Sequence, residues 1–228
     1  MNKEKLSELI INGISSAPGG TYDSVVINGV STIGDPLAAR VFKGNGHIHL
    51  NGDLAAGELE CKGTINVKGN VRCGIMKAEG MLEIKGGLSG EHCSLNGLMR
   101  VHGDCELEDF KGEGAFTIDG MLSAGHMDFR LHGSGKAREI GVESIVIRQA
   151  NKGVWSKLWG GIFPKFKPEL LAGTIEGDNI DLEYTTAEIV RGNAVIIGEG
   201  CSIGLVEYRS KLTVHPGAII GKEEKIGD

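Results

Sequence analysis

A glycine returns every 17 residues in this chain, in two columns at once. One column runs Gly29, Gly46, Gly63, Gly80, Gly97, Gly114; the other, six residues on, runs Gly52, Gly69, Gly86, Gly103, Gly120. A fixed period of this size belongs to a chain that stacks one small unit on the next. Between the glycines, apolar residues come in three pairs, each spaced by two. In the unit 46–62 they are Ile48 and Leu50, Leu54 and Ala56, Leu59 and Cys61. That spacing is the period of a strand with one buried face, and each pair is too short to be a helix. The glycines fall between pairs, where the chain turns a corner and a residue without Cβ accepts positive φ.

Repeating the step of 17 keeps the columns apolar. Ile48 is followed by Ile65, Leu82, Met99 and Phe116, and Leu50 by Val67, Ile84, Val101 and Ile118. Leu54 leads to Val71, Leu88, Cys105 and Leu122, and Leu59 to Met76, Cys93, Phe110 and Met127. The economical structure is all-β: a three-sided parallel β-helix, a β-solenoid, with 17-residue coils. Its sides hold about 6, 6 and 5 residues and its coils pair about 4.8 Å apart. Right-handed winding follows the general preference of parallel crossovers. Left-handed hexapeptide solenoids use six-residue sides and roughly 18 residues per coil, which this period does not fit. Outward positions set Glu60 beside Lys77, Lys62 beside Glu79 and Glu83 beside Arg100, polar pairs of a solvated face.

Charge and composition narrow the partners. A net charge of −6 with pI ≈ 5.7 argues against nucleic acid, whose phosphates call for a basic face. The glycine content, 37 residues against 5 prolines, fits many tight corners rather than disorder. No stretch is long and apolar enough for a transmembrane helix. The opening Met1-Asn2-Lys3-Glu4-Lys5-Leu6 has no apolar signal core, so a cytoplasmic location is expected. Cys61, Cys73, Cys93 and Cys105 fall on inward positions and no CxxC pair is present, which predicts core thiols rather than disulfides or a metal site.

The chain divides at the places where the pattern changes. Residues 1–13 read as an N-terminal helix or cap: Asn2 caps residues 2–12, Leu6, Leu9 and Ile10 form one face, and Gly13 ends it. Residues 14–148 read as β-helix, with a register slip after Phe129 where Leu131, Gly133 and Gly135 leave the columns. Residues 149–171 form an aromatic and basic insert. Trp155, Trp159, Ile162 and Phe166 keep helical spacing there, with Phe163 among them, but Gly160, Gly161 and Pro164 interrupt it. Lys152, Lys157, Lys165 and Lys167 make it the most basic stretch of an acidic protein. Three roles fit: packing along a solenoid flank, entry into a membrane interface, or docking of a protein partner. The contact residues in the latter two are Trp155, Trp159, Phe163, Phe166, Lys157, Lys165 and Lys167. The β-helix resumes over 172–221, and a charged, mobile tail occupies 222–228.

No catalytic constellation stands out. The seven histidines sit at unrelated places in the repeat. His47 and His49 point one way from their strand with no acid forced beside them, and a catalytic histidine needs a partner and a pocket. There is no GxxxxGK[ST] loop, and outward acids such as Asp53, Glu60 and Glu79 are interleaved with lysines. No cofactor, no metal and no enzymatic activity are expected.

The repeat resembles the bactofilins, bacterial polymer-forming cytoskeletal proteins. The frame that carries the resemblance recurs at Leu50-Asn51-Gly52-Asp53-Leu54, Val67-Lys68-Gly69-Asn70-Val71 and Ile84-Lys85-Gly86-Gly87-Leu88. It covers residues 22–148 well and 172–221 loosely. The resemblance implies a right-handed three-sided β-helix that polymerises end to end without nucleotide. It also implies a membrane-associated scaffold for cell-envelope, cell-shape or motility machinery. The insert and the second solenoid block depart from the family's single uninterrupted helix. Unpaired backbone at solenoid ends independently invites pairing with another copy. Val25 and Ile27 near one end, and Val214 and Ile220 near the other, are the expected polymer-end contacts, with residues 2–12 capping the first end and leaving the opposite one to pair. The rivals are a hexapeptide-like acyltransferase and a monomeric adaptor docking through Trp155–Phe166.

Overall fold

The computed structural model describes residues 6–150 and 168–227. Every regular element in them is a β-strand, and the chain forms two compact units, residues 1–108 and 109–228. Each is a parallel β-solenoid.

The first unit contains β1 (Glu8–Ala17), β2 (Gly20–Ile33), β3 (Leu37–Leu50), β4 (Leu54–Val67), β5 (Val71–Ile84) and β6 (Leu88–Val101). Each full strand is one coil, bent at two corners and closed by a short turn. Register is held at 17 from β2 onward: Leu50 pairs with Val67, Val67 with Ile84 and Ile84 with Val101, so the four lie in a single file. All four are at most 1% exposed.

The core is filled by compensation along each coil. Phe42 is followed inward by Gly44, Leu59 by Cys61, Met76 by Ala78 and Cys93 by Leu95. Where one position is large its neighbour is small, and the coil keeps its cross-section at interior packing density. Gly44 illustrates the constraint: a Cβ there would lie 2.9 Å from the Phe42 ring and 2.7 Å from Ile48 Cδ1.

The two glycine columns have different causes. Only the first has positive φ, between 102° and 145° from Gly29 to Gly97. A Cβ on any of these would also stand 2.1–2.4 Å from the carbonyl oxygen of the glycine one coil back. The second column, expected to serve the same purpose, instead clears space for side chains in the turns. At Gly69 a Cβ would lie 2.2 Å from Asp53 Oδ1, the atom that accepts from Asn70 N at 2.7 Å. Asn70 Oδ1 in turn accepts from Gly87 N at 2.9 Å. The turns are thus tied coil to coil by a ladder that only glycine leaves room for.

The second unit holds most of β7 (Cys105–Gln149), then β8 (Leu170–Leu182), β9 (Thr185–Ile197), β10 (Ser202–Val214) and β11 (Ile219–Lys225). Phe110, Phe116 and Phe129 meet at centroid distances of 5.1–5.6 Å and fill its core beside Gly135. The slip after Phe129 is real. Burial alternates without a break from Met127 to Ala137, so the strand runs straight where a corner would fall. One later coil is shorter: Leu170 pairs with Thr185 and Ile180 with Val195, a step of 15, before the step returns to 17 between β10 and β11. On either side of residues 151–167, Gln149 Nε2 donates to Pro168 O at 3.2 Å.

Two expected segments are corrected. Residues 8–12 are strand, not helix, because Ile11-Asn12-Gly13 repeats the Ile27-Asn28-Gly29 beneath it and pairs with it residue for residue. The β-helix therefore starts at Glu8 rather than residue 14. The charged tail is ordered as far as Lys225, with Lys222 to Lys225 paired to Leu205 to Tyr208.

Candidate functional site

A solenoid's free surface chemistry lies in its outward side chains and in its terminal strand edges. The outward faces are polar ladders. Glu60 bridges Lys62 at 3.3 Å and Lys43 at 3.7 Å, and Lys62 reaches Glu79 at 3.7 Å. Hydrogen bonding to Lys62, aided by Lys43, holds the Glu60 carboxyl below its ordinary range. Glu83 is held low by Lys85 and then by His102, rather than by Arg100, its neighbour in register. Such exposed pairs tune the surface and contribute little stability.

The nucleophile inventory is equally quiet. All five cysteines are free and buried. Burial pushes the Cys61 and Cys105 thiols up to about 12 and Cys73 to about 11, the opposite of an activated thiolate. His102 and His132 stand beside Glu83 and Glu113 at 3.3 and 3.1 Å. A shallow groove of about 360 Å³ in the second unit is lined by Glu139, Glu176 and Arg191 among others, and Arg191 is already engaged by Glu176 and Glu207. No helix among the described residues is long and apolar enough to cross a membrane.

The edges are more informative. β1 pairs along one side with β2, and no strand among the described residues pairs with its other side. Leu9 and Ile11 continue the core columns of Val25 and Ile27, and Ile11 is 6% exposed. Outside them Ile10 and Ile14 are 62% and 88% exposed. Val25 and Ile27, expected at a polymer end, are fully buried between β1 and β3 and cannot form one. The physical reason is the extra coil that the Ile-Asn-Gly triplet builds above them.

At the other edge β11 covers only Ser202 to Tyr208 of β10. Val214 pairs with Ile197 and is 39% exposed. Ile220 pairs with Ile203 and is half-buried. Beyond it the core columns end in charge: Glu223 lies over Val206 and Lys225 over Tyr208. Charged residues on inward positions are a way of blunting a strand edge. The two edges therefore differ, one bare and apolar, the other apolar at Leu212 and Val214 but charged at Glu223 and Lys225. The importance of β1 was missed because its step to β2 is 16, not 17; the repeated Ile-Asn-Gly was the signal that could have found it. Trp155, Trp159, Phe163, Phe166, Lys157, Lys165 and Lys167 lie outside the described residues.

Comparison with known proteins adds two relatives, both from Bacillus subtilis (strain 168). The chain is 36% identical over 108 residues to the uncharacterized protein YhbF, covering 47% of this chain and 42% of YhbF. It is 39% identical over 110 residues to the uncharacterized protein YhbE, covering 48% of this chain and 44% of YhbE. The matched stretch spans less than half the length of either relative. No family model matches the chain, and no solved structure does.

Proposed function

We propose that this protein is a non-enzymatic, self-assembling scaffold of bactofilin type, working at the cytoplasmic face of a membrane or an envelope complex. The observation that carries the reading is the bare β1 edge, where the core columns run out at Leu9 and Ile11 with no strand among the described residues beyond them. A second copy supplies the missing coil by strand addition. The second junction surface is the mixed edge of Leu212, Val214 and β11. Assembly needs no nucleotide, because the free energy comes from backbone pairing and apolar burial.

Two measurements test this. Purified protein without nucleotide forms filaments visible by negative-stain microscopy; a monodisperse monomer at high concentration would refute the scaffold reading and favour a monomeric adaptor. The Trp155–Phe166 segment supplies the membrane contact, with aromatics at headgroup level and lysines on anionic lipid. The protein therefore co-sediments with anionic liposomes, and Trp155→Ala with Trp159→Ala lowers the bound fraction several-fold, about 1–3 kcal/mol of burial being lost per ring. Unchanged sedimentation of that variant removes the segment from the membrane role.

A further inference from the structure

Strand β3 carries two histidines whose relation goes beyond an assembly role. His47 and His49 flank Ile48, which is fully buried, so both imidazoles stand on the same outer face. Their Nε2 atoms are 2.9 Å apart, with the ring centroids 4.7 Å apart and the planes at 78°. His47 is exposed and His49 half-buried. In register they are flanked by Val30 and Thr32 on β2 and by Thr64 and Asn66 on β4, none of them charged. His102 and His132 have carboxylate partners; the hydrogen-bonding partner of His47 is His49.

Two nitrogens this close can both reach one ion once the donor ring gives up its Nε2 proton. A metal ion about 2.0–2.1 Å from each nitrogen separates them by roughly 2.9 Å at a right-angle bite, and by roughly 3.4 Å at a tetrahedral one. The observed spacing matches the right angle. Square-planar or tetragonal nitrogen sites favour Cu²⁺ and Ni²⁺, and Cu²⁺ binds most tightly among the divalent first-row ions. We propose that His47 and His49 form a bidentate surface site for a tetragonal divalent transition ion, Cu²⁺ foremost, with water in the remaining positions.

The proton balance is simple. In the metal-free pair one ring donates its Nε2–H to the bare Nε2 of the other. Binding uses both Nε2 lone pairs, so the donor's proton moves to its own Nδ1 through solvent and both rings become Nδ1–H tautomers. A neutral pair releases no net proton. Protons compete for the same lone pairs, so binding weakens as pH falls. The ladders on both sides of β3 fix the backbone positions of the two residues, which lowers the ordering cost of chelation.

The test is a Cu²⁺ titration of the full chain near neutral pH by calorimetry, with electron paramagnetic resonance of the one-equivalent sample. The expected result is one tight site with a tetragonal spectrum showing coupling to two imidazole nitrogens. His49→Gln leaves a weaker site whose spectrum shows a single imidazole nitrogen, and His47→Gln with His49→Gln removes it, while far-ultraviolet circular dichroism stays unchanged. The same affinity and spectrum in the double variant would place the copper on one of the other five histidines and overturn the proposal. So would a spectrum of the native chain with a single nitrogen.

Discussion

Gly63→Ala unfolds the first unit at markedly lower denaturant than the native chain, at a cost of about 4 kcal/mol or more. Two effects combine. The residue has φ = 102°, a region that costs an L-residue about 1–2 kcal/mol. The added methyl would also sit 2.4 Å from Gly46 O. That oxygen belongs to the backbone of the next coil and cannot rotate away, so relief requires the two coils to separate. Gly13→Ala is the control. Its φ is 92°, yet nothing lies within 4 Å of its Cβ, so only the conformational cost of about 1–2 kcal/mol remains. The difference between the two midpoints in urea measures the coil-to-coil approach alone. Equal losses would mean that positive φ, not close approach, selects these glycines.

The same contrast explains what the sequence made legible. From β2 onward in the first unit both glycine columns and all six inward columns have one period, so adding 17 finds partners such as Leu50 and Val67 directly. In the second unit the pairs persist but the period drops to 15 between β8 and β9, and is 17 again between β10 and β11. Ile175 and Gly177, then Ile180 and Leu182, correspond to Leu59 and Cys61, then Ile65 and Val67, with one residue lost from the corner between pairs. Another is lost from the turn, so the step is 15 and a search at 17 passes over it. The corner tolerates deletion because no side chain there enters the core; the pairs do not, because a shift by one residue turns every inward side chain outward. The site was less legible than the fold. Helical spacing of Leu6, Leu9 and Ile10 competes with strand spacing of Leu9 and Ile11 over too few residues for periodicity to decide. The strand wins through tertiary pairing with β2, which a local reading does not contain.

Blocking that strand is the sharpest probe of assembly. Asp23 N donates to Ser7 O, so Ser7 turns its backbone groups toward β2. In a strand these groups alternate in direction, which aims the N–H of Ile10 away from β2, at the bare edge. Ile10→Pro deletes that donor and leaves the β1–β2 ladder intact, and proline is tolerated on an edge strand with its nitrogen to solvent. The folded monomer is therefore expected to keep its circular dichroism and to lose about 1 kcal/mol or less. A junction built on this edge loses a ladder bond, gains a ring in the path of the incoming strand and no longer buries Ile10, which is 62% exposed in the free unit. Together these remove about 3 kcal/mol, raising the critical concentration for polymerisation about 100-fold. Light scattering across a concentration series reads that shift. Ile220→Arg, at the edge that already carries Lys222, Glu223 and Lys225, moves it far less. If Ile10→Pro polymerised at the native concentration while Ile220→Arg did not, assembly would run through the β11 edge alone, and the β1 edge would need a different occupant.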